Sequence, residues 1–149
     1  MKLSIKKLHP DAIIPRYATK GAACFDLHAL FDSETALDST QSVTTLRTGL
    51  AVEIPEGYAM MIYSRSGHGF KHGVRLSNCV GVIDADYRGE VMVKLTQDEQ
   101  GYFIVNKGDR IAQAMIVPVP AVEFIEVDEL SSTERGSGGF GSTGQGEAK

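Results

Sequence analysis

The apolar residues of this chain recur at every second position far more often than at every third or fourth, and that periodicity excludes most folds. Runs at Leu3 to Leu8, Ala22 to Leu30, Val43 to Thr48, Leu50 to Ile54 and Tyr58 to Tyr63 come first. Leu76 to Ile83, Val91 to Leu95, Tyr102 to Val105, Ile111 to Val119 and Val122 to Val127 follow. Successive side chains of a strand point to opposite faces, so this alternation marks strands with one face on a core. Gly, Pro, Asp and Asn separate most of the runs, as turns require. The expectation is an all-β fold of about ten short strands, a jelly-roll-like sandwich or barrel. At most one short helix fits, within Ser64 to His72, and its glycines disfavour even that.

A chain of 149 residues suits one core large enough to fold without staples. The pattern stops after Leu130. Residues 131–149 hold six of the sixteen glycines and one large apolar side chain, Phe140, too little to bury a core of their own. The expected division is a β jelly-roll domain over 1–130 and a flexible Gly-rich arm over 131–149.

Fifteen basic against nineteen acidic side chains leave a net charge of −4, which argues against non-specific nucleic-acid binding. A polyanionic ligand must therefore be met locally, by clustered arginines, backbone amides or a metal. Cys24 and Cys79 match no metal or redox spacing, and the simplest reading is a free-thiol, intracellular (cytoplasmic) setting. The N-terminal residues alternate apolar and polar and lack the continuous apolar core of a signal peptide. The longest apolar run, Ala114 to Val122, is interrupted by Pro118 and Pro120 and is too short to span a bilayer. No membrane association is expected.

Four segments carry chemistry. Gly81 to Val91 packs Asp84, Asp86 and Tyr87 between apolar flanks, which reads as a hairpin holding a carboxylate fit for general-base work, or as an ordinary solvated turn. Arg65, Ser66 and Gly67 offer a charge, a hydroxyl and an open amide in three residues. Lys107 to Gln113 forms a turn entering a strand. Gln113 could give an amide to a phosphate there, and Arg110 could pair with Asp26 or Asp86. In the arm, Arg135 supplies a charged fork, Phe140 a flat face for a base, and the glycine backbone through Gly141 unhindered N–H groups, a combination that reads as a nucleotide lid. Gly136 to Gly141 also spells G-x-G-x-x-G, but no strand–helix unit is available around it, so a Rossmann site is rejected. His68 and His72 stand four apart, yet the surrounding glycines argue against a rigid helical metal site.

Taken in order, these segments resemble the five motifs of the trimeric deoxyuridine triphosphatase (dUTP diphosphatase) family. Ala22 to Ala29 resembles the first, and Ser64 to Gly67 with Phe70 to Gly73 the second. Asn78 to Val80 joined to Gly81 to Val91 resembles the third, Gly108 to Gln113 the fourth, and Arg135 to Gly144 the fifth. The resemblance implies hydrolysis of dUTP to dUMP and pyrophosphate on a jelly-roll homotrimer, with Mg2+ carried on the triphosphate. It implies a role in limiting uracil incorporation into DNA and supplying dUMP for thymidylate synthesis. Asp84 would activate water for attack on the α-phosphorus, and Asp26 would reach the metal only through water. Asn78 and the backbone around it would read uracil, and Tyr87 would exclude a ribose 2′-hydroxyl. Arg65, Ser66, Gly67 and Gln113 would hold phosphates, Arg135 would reach the distal one, and Phe140 with Gly141 would close over the base. Asp86 and Arg110 would support the site.

The sequence departs from the family's pattern at Ala23, where glycine is usual, at Ser64, where proline is common, and at His68, where an aliphatic residue is frequent. Three alternatives stand beside the diphosphatase: a dCTP deaminase-type relative, a dUTP-sensing module that binds another protein, and a non-catalytic jelly roll. Tyr87 and the Arg135 to Gly144 arm favour the diphosphatase over the first.

Overall fold

The computed structural model describes residues 1–31, 37–38, 43–99, 101–142 and 144. Two four-stranded antiparallel sheets face each other in a jelly-roll-like sandwich. One has the order β1 (Ser4–Lys7), β4 (Val43–Glu53), β8 (Glu90–Gln97), β6 (Val74–Leu76). The other has the order β2 (Phe25–His28), β10 (Arg110–Pro118), β5 (Tyr58–Tyr63), β7 (Val80–Ile83). A small third pair joins β3 (Leu37–Asp38) to β9 (Ile104–Val105). The helix α1 (Ser66–His72) is the expected short one, and Gly73 ends it in the left-handed region at φ 59°.

Alternation does the sorting that the sequence pattern predicts. Along β8, Val91, Val93 and Leu95 turn inward while Met92 and Lys94 turn out. Along β2, Phe25 and Leu27 enter the core and leave Asp26 and His28 half-buried on the outer face. Leu46, Met60, Val74, Leu76, Val91 and Ile111 fill the space between the sheets, each at most 2% exposed. Burying one such side chain is worth ~1.5–3 kcal/mol.

Three expectations are corrected. Val43 to Thr48 and Leu50 to Ile54 are not two strands but one, broken by a bulge between Arg47 and Ala51. Gly49 turns there at φ 68°, and the buried Thr48 hydroxyl replaces ladder bonds by donating to Val91 O (2.6 Å) and accepting from Leu50 N (3.3 Å). Gly81 to Val91 is not a hairpin. β7 pairs with β5 in one sheet and β8 pairs with β4 and β6 in the other, so the acidic segment crosses from sheet to sheet. Apolar flanks look the same for a hairpin and a crossover, which is why the pattern could not separate them. Val122 to Val127 forms no strand: β10 ends at Pro118, and Val122, Phe124, Ile125 and Val127 are all exposed. Among the described residues no helix is long and apolar enough to cross a membrane. Cys24 and Cys79 are both free thiols.

Candidate active site

Strand register builds the first half of the site. Gln113 of β10 lies opposite Asp26 of β2 on one side and Tyr63 of β5 on the other, so the segment leaving β5 arrives beside Asp26. Arg65 Nε donates to Asp26 Oδ1 at 3.0 Å and Arg110 Nη1 donates to Oδ2 at 3.3 Å, leaving the Asp26 side chain only 13% exposed. One carboxylate therefore orients two arginines, and of the two partners the sequence offered for Arg110 it is Asp26 that the structure selects. Gln113 Nε2 donates to Ser64 O at 2.9 Å, tying β10 to the same turn. Asp26, Arg65, Ser66, Gly67, Arg110 and Gln113 all line one cleft of about 340 Å³, along with Ala18 and Ala22 to Cys24.

This cleft is built for an anion. Arginines present donors only, and no side chain caps the start of α1, where Ser66 and Gly67 are exposed. A Cβ placed on Gly67 would meet no atom of this chain within 4 Å, so the fold does not demand the glycine. A larger neighbouring cleft of about 600 Å³ shares Asp26 and Arg110 and adds Arg16, His28 and Asp109. Burial pushes the His28 imidazole below its ordinary pKa. Asp26 opposes that shift, and Arg110, Arg16 and Arg65 reinforce it. Burial, with Asp26 beside it, pushes the Cys24 thiol upward, which makes it a poor nucleophile.

The second half of the site lies on the β7 side. Asn78 and Cys79 form a tight turn in which Val80 N donates to Asn78 O at 2.7 Å, and Cys79 is held at φ 63°, unusual for a residue with a side chain. Asn78 and Gly81 line a cleft of about 300 Å³ with Ile62, Leu76 and Met92. Farther on, Tyr87 N donates to Asp84 O at 3.2 Å and closes a turn around Ala85 and Asp86. The carboxylates of Asp84 and Asp86 are exposed and form no ion pair among the described residues. Arg88 instead donates to Ala85 O (2.6 Å) and Tyr87 O (3.0 Å) and faces Glu53 at 3.8 Å, and among the described residues no arginine pairs with Asp86. Tyr87 Oη donates to Glu90 O at 3.1 Å. The Glu90 carboxylate in turn accepts from Gly49 N (2.7 Å) and Arg47 Nε (3.0 Å), so the β4 bulge anchors the crossover that carries Tyr87.

Asp84 and the Arg65 cleft do not meet within one chain. Met60 pairs with Ile83 at one end of the β5–β7 ladder and Tyr63 pairs with Val80 at the other. Asp84 follows the first end and Arg65 the second, which separates them by ~20 Å at ~3.3 Å per residue. The arm stands apart as well. Arg135 Nε turns back on Gly138 O at 2.9 Å, Phe140 is fully exposed at φ 49°, and Gly141 is exposed at φ 90°. None of the three lines either half of the site.

The sequence profile of the dUTPase family matches residues 10–144. The chain belongs to the dUTPase family. It is 52% identical to the deoxyuridine 5′-triphosphate nucleotidohydrolase of Nautilia profundicola over 97% of this chain and 100% of that protein. Among solved structures it is similar to a mutant of the 80alpha phage dUTPase, with a TM-score of 0.84 at 29% identity over 95% of this chain and 98% of that one. It is also similar to a mutant dUTPase of the Staphylococcus aureus phage phi11, with a TM-score of 0.75 at 25% identity over 87% of this chain and 98% of that one. In that phage protein a structural Mg(II) ion is coordinated. The dUTPase framework is thus the jelly-roll sandwich expected from the strand pattern.

Two contributors escaped the sequence reading. Met92 lines the Asn78 cleft and is 49% exposed, an apolar residue at an outward position of β8; that break in alternation was the available signal. Gly89 is required by Tyr87, since a Cβ there would overlap the phenol oxygen and stand 2.5 Å from Cζ. The sequence marks Gly89 as part of the Gly81 to Val91 segment but not this contact, which depends on how the ring folds back.

Proposed function

We propose that this protein hydrolyses dUTP to dUMP and pyrophosphate, at sites completed by neighbouring copies in a homotrimer. The observation that carries this reading is the cleft in which Arg65, Arg110, Ser66, Gly67 and Gln113 converge around a single anchoring carboxylate, Asp26. That set offers charge, a hydroxyl and open backbone to a phosphate chain. Asp84 is the general base. Its exposed carboxylate takes a proton from water as the water oxygen bonds to the α-phosphorus, and the bond from that phosphorus to the bridging oxygen breaks to release pyrophosphate. The Asn78–Gly81–Met92 cleft receives uracil, and Tyr87 lies against the sugar where a 2′-hydroxyl would stand.

Assembly follows from reach. Reacting atoms must approach to ~3–3.5 Å, and Asp84 stands ~20 Å along the sheet from Arg65 of its own chain. With the trimer that the family resemblance implies, a second copy supplies one of the two. The segment after β10 points the same way, because Phe124 and Leu130 are 92% and 88% exposed and call for cover by another chain. Arg135, Phe140 and Gly141 then close a site of a neighbouring copy, with Phe140 stacked on the base.

Among the described residues no three His, Cys, Asp or Glu side chains gather into a metal site, so a carboxylate cage does not fit this chain. A hydrated Mg2+ carried on triphosphate oxygens does fit, since Asp26 keeps lone pairs able to accept from one of its waters. Bound there, Mg2+ supplies neutralisation of phosphate charge. In the cell this activity would limit uracil incorporation into DNA and supply dUMP for thymidylate synthesis. The test is pyrophosphate release from the purified protein with dUTP, dTTP, dCTP and UTP in the presence of Mg2+. Turnover confined to dUTP is expected; ammonia release from dCTP, or no turnover of dUTP, would overturn the reading.

A further inference from the structure

Arg65 is held from two sides. Its Nε donates to Asp26, and its Nη1 lies 3.4 Å from His68 Nε2. A guanidinium has donors only, so this contact is attractive only while Nε2 carries a lone pair and the single ring proton sits on Nδ1. His68 Nδ1 is buried without a hydrogen-bond partner among the described residues. A leucine would occupy this position without burying an unpartnered polar atom, so the imidazole costs the fold something that the Arg65 contact offsets. α1 presents the His68 ring to Phe103 with centroids 4.8 Å apart, and His72 meets the same Phe103 ring at 5.3 Å. The two histidines flank an aromatic ring instead of converging on a metal.

The charged and titratable groups around His68 are Arg65 and His72 on its own segment, with Asp109 and Arg110 at the entry to β10. Burial, then Arg65 and His72, push its pKa below the ordinary 6.5; Asp109 opposes them and Arg110 adds to them. His68 does not line the phosphate cleft, so its effect on a ligand must pass through Arg65.

We infer that His68 is a positioning residue: as a neutral acceptor it fixes Arg65 for the phosphate chain, and on protonation it releases Arg65, so nucleotide affinity falls in acid. The inference rests on Arg65 being a phosphate ligand, as proposed above. Protonation removes the acceptor and sets a second cation 3.4 Å from the guanidinium.

The experiment compares the parent protein with His68→Leu and His68→Gln. It measures Kd for an imido analogue of dUTP with Mg2+ between pH 7.5 and pH 5, and follows the Arg65 Nε–H resonance of the ligand-free proteins by NMR over the same range. Ionisation of the nucleotide is common to all three and cancels in the comparison. The parent is expected to lose about tenfold more affinity than His68→Leu on acidification, as the loss of one charge-assisted hydrogen bond implies. His68→Gln, which keeps an acceptor that does not titrate, should match the parent at pH 7.5 and, like His68→Leu, show no extra loss of affinity in acid. The Arg65 resonance should move with His68 protonation in the parent alone. Parallel affinity profiles, or tighter binding by the parent in acid through direct contact of His68 with phosphate, would overturn the inference. An Arg65 resonance indifferent to His68 would overturn it without touching the proposed activity, whereas failure of the parent to bind the analogue at pH 7.5 would overturn both.

Discussion

Gly89→Ala isolates the contact that sets the Tyr87 ring. An added Cβ would overlap Tyr87 Oη and stand 2.5 Å from Cζ and 3.0 Å from Cε2, where carbon atoms normally rest at ~3.5–4.0 Å. The ring must therefore swing by ~1 Å or more, and because it is 41% exposed it can move into solvent without opening a core cavity. The cost to the fold is the bond from Tyr87 Oη to Glu90 O, worth ~0.5–1.5 kcal/mol, so the domain should stay folded with a small loss in Tm. Function should suffer more selectively. A displaced ring no longer fills the space beside the sugar, and the ratio of kcat/KM for dUTP over UTP should fall by at least about tenfold, equal to ~1.4 kcal/mol of discrimination. Steady-state kinetics on both nucleotides, with urea unfolding as the stability control, measure the two effects separately. An unchanged dUTP:UTP ratio in a folded variant would refute the sugar-gate assignment of Tyr87.

Gly67→Ala should behave in the opposite way to a core mutation. Its Cβ enters open space at the start of α1, so stability should hold or rise by ~0.5–1 kcal/mol, while KM for dUTP rises because the methyl occupies the phosphate approach. An unchanged KM would remove Gly67 from the site. Gly49→Ala should destabilise by ~2–5 kcal/mol in denaturant unfolding, combining a left-handed backbone at φ 68° with a Cβ 2.5 Å from Leu30 Cδ2 and 2.9 Å from Ala12 Cβ. A loss below ~1 kcal/mol would mean that the bulge relaxes freely. Asp84→Asn should abolish turnover and leave nucleotide affinity nearly unchanged, because a general base acts mainly in the transition state. Retained turnover would send the search for the base elsewhere.

Much of this architecture was legible in the sequence because burial in a sandwich follows the period-two pattern residue by residue. Tyr58–Tyr63 appears as a strand with the bounds the pattern gives, and the short helix falls within Ser64 to His72. Failures arise where the pattern carries no information about partners. The apolar flanks of Asp84 are strands, but their alternation does not say that one joins each sheet. Val122 to Val127 has the composition of a strand but pairs with no strand among the described residues. The site shows the same limit. Arg65, Ser66 and Gly67 are adjacent in sequence and remain adjacent in space, whereas the role of Asp26 as the anchor of two arginines depends on the register that sets Gln113 between β2 and β5. Gly89 matters only because a tyrosine two residues away folds back over it.

The central claim is that a working site takes Arg65 from one copy and Asp84 from another, and subunit mixing tests it directly. Arg65→Ala and Asp84→Asn are each expected to be inactive alone. Co-refolded in equal amounts, with mixed oligomers verified by native mass spectrometry, they should regain about one quarter of the parent activity, the share of sites that draw both intact residues from different chains under random assembly. Mixed oligomers that stay at the level of the separate variants would contradict the account.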